Sequence, residues 1–205
     1  MKLYFSPFSY NARKALMAAL QLGLAPEVVL VDLAKGEQRK PELLALNPNG
    51  KVPVLVDGDF VLTESQAIMA YLADTTPGST LYPKELRARA DVNRWMFWSA
   101  NHWGPAISIL NWERMVKKVI GQGDPDPAQI ARGESLFRDF ARVLDAHLAK
   151  RAWVSGNAFS IADISMACPL MVAGIAQLPV AEFPNVEAWF GRVQLLDSWK
   201  RSAGR

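Results

Sequence analysis

Val52, Glu64 and Ser65 offer three different ways of holding a small peptide, and all three fall within one run, ALNPNGKVPVLVDGDFVLTESQAIMAYLAD, residues 45–74. Pro53 biases Val52 toward an extended backbone, whose N–H and C=O are able to pair with another extended strand. Ser65 precedes the apolar run Ala67, Ile68, Ala70, Tyr71 and Leu72. That is the start of a helix, where unpaired N–H groups and the dipole favour a carboxylate. Glu64 supplies a negative charge to meet an ammonium. A short zwitterionic peptide, carboxylate at one end and amino acid at the other, uses all three. The same residues also suit a plainer structure, a hairpin with a rigid proline turn and an ordinary Thr or Glu helix cap.

A hairpin must position them. Val54-Leu55-Val56 and Phe60-Val61-Leu62 are short apolar strand candidates joined by Asp57-Gly58-Asp59, and an Asp-Gly pair supplies the positive φ of a tight turn. Asn47-Pro48-Asn49-Gly50 is turn chemistry, and Pro53 stands at the first strand position, where a missing N–H is tolerated.

Upstream, Lys2–Phe5 is a strand candidate that Ser6-Pro7-Phe8-Ser9 breaks. Apolar residues at helical spacing predict a helix over about 11–22, closed by Gly23. A second strand, Glu27 to Val31, follows a helix and so is expected parallel to the first. Residues 35–40 form a polar loop, and Pro41 opens a short helix through Leu46. The order β-α-β-α-β-β-α is similar to the thioredoxin fold.

A turn-rich stretch, Thr75 to Thr80, places a linker at 79–85, between a first domain at 1–78 and an all-helical domain at 86–205. In the latter, Leu86 to about Val119 gives one or two long helices. Ile130, Phe137, Phe140, Leu144 and Leu148 line another, Ile164 to Ile175 reads as helix core, and Pro184 to Leu196 as the last clear helix. Ser160 and Asp163 have the spacing of a capping box, a structural role.

With 205 residues, half of them hydrophobic, the chain is able to bury a sizeable core. Its +3 charge is interspersed, with no basic block or nucleic-acid motif, so no nucleic-acid partner is expected. A single cysteine, Cys168, excludes an internal disulfide framework and fits a cytoplasmic protein with a buried, inert thiol. No signal peptide or membrane span is expected. His102 and His147 are isolated, so no metal is expected.

NPNGKVPVL followed by LTESQAIMAYL resembles the glutathione-binding half of the soluble glutathione S-transferases, the bacterial serine-type, theta/phi-like proteins among them. Two separate signals recur at the correct interval, and the likeness covers essentially the whole chain. It implies a cis Val52-Pro53 peptide, a glutathione site that includes Val52, Pro53, Glu64 and Ser65, and glutathione as co-substrate. By motif position Gln38 takes the glycine carboxylate, with Arg39 or Lys51 adding charge. The reactive loop of such a fold is Ser6 to Asn11. It holds no cysteine, so the thiol belongs to the peptide, and Ser9 falls where the family's serine donates a hydrogen bond to the sulfur. Tyr10 and Asn11 are alternative thiol contacts and Ser6 a weaker one. A two-unit drop from a free thiol pKa of about 8.5 needs about 2.7 kcal/mol. A hydrogen bond to a charged acceptor supplies about 1.5–3 kcal/mol and a helix end about 0.3–1, so a serine suffices without acting as a base.

The likeness further implies a homodimer in which Asp91 reaches the partner's site, and an apolar electrophile bound between domains against Phe8, Trp103, Ile107 and Trp112. The expected activity is glutathione conjugation by a detoxifying transferase. A glutathione-dependent isomerase is less suited, because its Ser-Ser-Cys type loop is replaced by Ser9-Tyr10-Asn11. A dehalogenase, a peroxidase and a non-catalytic glutathione-binding module also fit the likeness.

Overall fold

Each short apolar run expected as a strand is one: β1 (Lys2–Phe5), β2 (Glu27–Leu30), β3 (Val54–Asp57) and β4 (Phe60–Thr63). The computed structural model describes residues 1–203. The strands pair in the order β2-β1-β3-β4, with β1 parallel to β2 and antiparallel to β3, and β3 antiparallel to β4. Asp57 pairs with Phe60, and Gly58 between them takes φ +63°, the positive φ at the first central position that a II′ hairpin turn needs. Helices α1 (Tyr10–Gln21), α2 (Pro41–Leu46) and α3 (Ser65–Thr75) complete the βαβαββα order. Leu3, Phe5, Val54 and Leu55 from the sheet pack with Ala12, Ala15, Leu16 and Ala19 of α1 and Ile68 and Leu72 of α3. The loop at 35–40 is not wholly irregular, since Glu37–Arg39 forms a 3-10 turn.

A second unit, Pro83–Gln194, is helical: α4 (Leu86–Trp98), α5 (Gly104–Asn111), α6 (Lys117–Val119), α7 (Pro127–Leu148), α8 (Ile161–Ala167) and α9 (Pro184–Gln194). The run from Leu86 to Val119 is interrupted by π-helical turns at Ser99–Trp103 and Trp112–Val116. Pro105 explains the first, because a helix that contains proline must re-route the hydrogen bond its missing N–H cannot make. The expected face of α7 is present, with Phe137, Leu144 and Leu148 buried. The helix expected over 164–175 is shorter. It tightens into a 3-10 turn at Cys168–Val172 around Pro169, and Ile175 is exposed. Asp163 completes both halves of the capping box with Ser160 and also accepts hydrogen bonds from Val154 N–H at 2.8 Å and Trp189 Nε1 at 2.9 Å. Burial pushes its carboxyl up to about 6 against those donors.

The division differs from the expected one at both ends. The first unit extends to Tyr82, and the chain from Leu195 onward belongs to it rather than to the helical unit. The expected range 86–205 also ends two residues outside the described ones. A further helix, α10 (Asp197–Arg201), packs on α1: Arg13 donates to the Trp199 carbonyl at 2.8 Å and to Ser202 Oγ at 3.2 Å, with its guanidinium 3.7 Å from the Trp199 ring centroid. Ser198 Oγ donates to Gln21 Oε1 at 2.6 Å. Polar residues make this attachment, so apolar periodicity gave no warning of it.

Candidate functional site

Strand register gathers the site. Phe5 pairs with Leu30, Tyr4 with Val54, and Val54 with Thr63. The chain leaving β1, the chain leaving β2, the chain entering β3 and the chain leaving β4 therefore meet at one end of the sheet. Those four segments carry Ser6 to Asn11, Gln38 and Arg39, Lys51 to Pro53, and Glu64 with Ser65.

Ser9 is the N-cap of α1, with its N–H bonded to the Ser6 carbonyl at 3.0 Å and its Oγ accepting from Ala12 N–H at 3.2 Å. A hydroxyl has one proton and two lone pairs, so the cap leaves the proton for a ligand. No acid occupies the first turn of α1 to cancel the positive helix end. Ser6 is buried and its Oγ has no partner among the described residues, whereas Phe8 is 69% exposed.

Val52-Pro53 is a cis peptide. Among the described residues no hydrogen bond uses the backbone of Val52. Asn47, itself buried, organises the approach to it: its Nδ2 donates to the Lys51 carbonyl at 2.8 Å and its Oδ1 accepts from Asn49 N–H at 3.1 Å. That role was missed in the sequence, although an Asn two residues before the N–H it binds is the spacing of an Asx turn. Gly50 has φ +59°, and a Cβ there would stand 3.3 Å from the Gln38 carbonyl oxygen. Glycine thus lets the 3-10 turn lie against the loop and brings Gln38 and Arg39 beside Lys51. The Glu37 carboxylate braces that turn, accepting from Lys40 Nζ at 2.7 Å and Asp32 N–H at 2.9 Å, bonds that hold its pKa below the ordinary glutamate value. Gln38 Oε1 is buried without a partner among the described residues.

Glu64 has φ 66° and ψ 114°, a left-handed conformation that costs a non-glycine residue about 1–3 kcal/mol. The strain has a visible consequence. Glu64 occupies the N-cap of α3 without capping it, so its carboxylate is not spent on the helix and the terminal N–H groups stay available. The ordinary Thr or Glu cap is therefore not what forms. Ser65 is buried, and its Oγ donates to Gln66 Oε1 at 3.0 Å. A carboxylate arriving at Ser65 has to redirect that proton.

The remaining expected residues belong to the helical unit. Trp103 and Ile107 are fully buried there; Trp103 donates to the Met166 carbonyl at 2.9 Å and stacks on Phe137 at 5.0 Å between centroids. The structure gives both a place in the core. Trp112 is exposed, in the second π-helical turn. Both Asp91 oxygens are engaged, Oδ2 by Ser155 Oγ at 2.6 Å and Oδ1 by Arg94. Burial raises the Asp91 pKa, but these bonds outweigh it and hold the group below the ordinary aspartate value. His147 Nε2 lies 2.8 Å from the Val154 carbonyl, and burial lowers its pKa. Among the described residues no three His, Cys, Asp or Glu side chains group as metal ligands would, and no helix is long and apolar enough to cross a membrane.

The chain is 33% identical to glutathione S-transferase 3 of Zea mays, over 98% of this chain and 92% of that protein. It belongs to the glutathione S-transferase family. Residues 3–80 match the family's N-terminal domain and residues 127–192 its C-terminal domain. Among solved structures, glutathione transferase F7 of Populus trichocarpa superimposes with a TM-score of 0.90 at 28% identity, covering 98% of this chain and 97% of that one. The transferase URE2P8 of Phanerochaete chrysosporium, solved with oxidized glutathione, gives 0.87 at 28% identity, covering 98% and 92%. As a member of this family, the chain has a transferase fold built on a mixed four-stranded sheet, at one end of which the candidate residues lie.

Proposed function

We propose that this chain binds glutathione at the sheet end where Ser9, Val52-Pro53 and Glu64-Ser65 converge, stabilises its thiolate, and transfers the sulfur to a small apolar electrophile. The convergence of two helix N-termini on one cis-proline edge carries this proposal. α1 offers a hydroxyl proton at Ser9, and α3 offers N–H groups that no side chain caps. A tripeptide laid along Val52 pairs its backbone there, sets its amino-acid carboxylate on the N-terminus of α3 with its ammonium toward Glu64, and delivers its sulfur to Ser9. Gln38, Arg39 and Lys51 receive the carboxylate at its other end. Phe8, exposed next to Ser9, supplies apolar surface for the electrophile.

We place the protein in the cytoplasm as a homodimer. Phe60 and Val61 of β4 expose large apolar side chains, which a second copy would cover. Isothermal titration with glutathione, run beside a spectrophotometric assay with an aryl halide, tests the function. Saturable binding with turnover is expected. Binding without turnover on any of a panel of electrophiles makes the chain a glutathione-binding module, and no binding removes the proposal.

A further inference from the structure

Lys14 is a buried charge that the site described so far does not employ. It is 2% exposed, and it stands in the second turn of α1. Removing an ammonium from water is costly unless specific contacts compensate. Its contacts include Asn11 Oδ1 at 3.1 Å and the ring of Tyr10, 5.4 Å from Nζ to centroid. An ammonium has donors and no acceptor. The Asn11 atom it meets is therefore the amide oxygen, and the amide N–H2 is turned away from Lys14. Asn11 is exposed, in the first turn of α1 and two residues beyond Ser9. The side that it offers a ligand is a pair of N–H donors, and the charge on the oxygen side polarises the amide and strengthens them.

We infer that Lys14 is a positioning residue for the thiolate: by holding the Asn11 oxygen, it presents the Asn11 N–H2 as a second donor to the sulfur that Ser9 binds. The inference rests on the glutathione site proposed above. It gives a buried lysine a task at the site, and it assigns Ser9 and Asn11 joint rather than rival contacts.

The test is a pH titration of the ultraviolet absorbance of enzyme-bound glutathione thiolate, with calorimetric affinity measured alongside, on wild type, Lys14→Met, Lys14→Arg, Asn11→Ala and the Lys14→Met/Asn11→Ala double variant. Methionine fills the buried volume without a charge, and Asn11 is exposed, so at least the latter substitution leaves the fold intact. Lys14→Met and Asn11→Ala are each expected to raise the bound thiol pKa by about one unit. The double variant is expected to match Asn11→Ala alone, since the lysine acts through the amide, and Lys14→Arg to stay near wild type. An Asn11→Ala protein that titrates like wild type overturns the inference, and so does a double variant whose shift is the sum of the single ones. Wild type that fails to bind glutathione removes the site itself, a result visible before any variant is made.

Discussion

Ser9→Ala strips one oxygen of two tasks. Ser9 Oγ caps α1 through Ala12 N–H at 3.2 Å, and its proton remains for the sulfur. Losing the cap costs about 0.5–2 kcal/mol of stability. Losing a donor to a charged sulfur costs about 1.5–3 kcal/mol, and at about 1.4 kcal/mol per unit the bound thiol pKa rises by about 1.5 units. If that pKa starts near 7, the thiolate fraction at about pH 7 falls from roughly half to roughly 3%. A more basic thiolate is also the better nucleophile, by about fivefold for a Brønsted slope near 0.45, so the net rate falls only about threefold. The pH–rate profile moves up by about 1.5 units, and that movement, more than the rate at neutral pH, identifies the serine. Ser9→Asp separates the two tasks: a carboxylate caps the helix as well as a hydroxyl does, but it has no proton at neutral pH and repels a thiolate. Initial rates with an aryl halide across the pH range, together with urea unfolding, provide the assay. Ser9→Ala is expected to lose stability and shift its profile; Ser9→Asp is expected to keep stability and fall below Ser9→Ala in activity. An unshifted Ser9→Ala profile refutes the assignment and leaves the sulfur to Tyr10 or Asn11.

Three further outcomes are expected. Glu64→Gly relieves the positive φ and so should raise stability by about 1 kcal/mol while weakening glutathione binding, because the carboxylate is gone; equal losses in urea unfolding and calorimetry would show that the strain is not there. Asn47→Ala leaves the Lys51 carbonyl and Asn49 N–H without their side-chain partner, costing about 1–3 kcal/mol of stability and weakening glutathione affinity more than turnover by bound enzyme; unchanged affinity would remove Asn47 from the site. Asp163 titrates near 6 when folded against 3.8 for the free side chain. The folded state therefore holds the extra proton between those values, and this group's contribution is full below about pH 4 and lost as pH rises through about 6, a fall of about 3 kcal/mol. The difference in unfolding free energy between wild type and Asp163→Asn should shrink across that window, and a flat difference would contradict the burial assigned to the carboxyl.

Much of this was legible in the chain. The hairpin could be read because Asp57-Gly58 and two apolar runs are local signals, and the strands form where those runs lie. The capping box at Ser160 and Asp163 was likewise local, four residues whose spacing is itself the geometry. Trp103 and Ile107 were harder: an apolar residue at helical spacing reads the same whether it lines a pocket or fills a core. The bond from Trp103 Nε1 to the Met166 carbonyl spans 63 residues, beyond any window of periodicity. The last helix escaped for the same reason, since Arg13 and Trp199 meet across 186 residues through a cation, a ring and a carbonyl.

Sequence alone nominated the candidate site residues and placed most of the helices and strands, because turn residues, caps and apolar periods act over a few positions. Only the tertiary structure decided that Glu64 is held at positive φ without capping its helix, that Gly50 lets the Gln38 turn approach, and that a buried lysine grips Asn11. Each of these depends on how close two backbones or two side chains come in space, and the order of residues along a chain does not contain that distance.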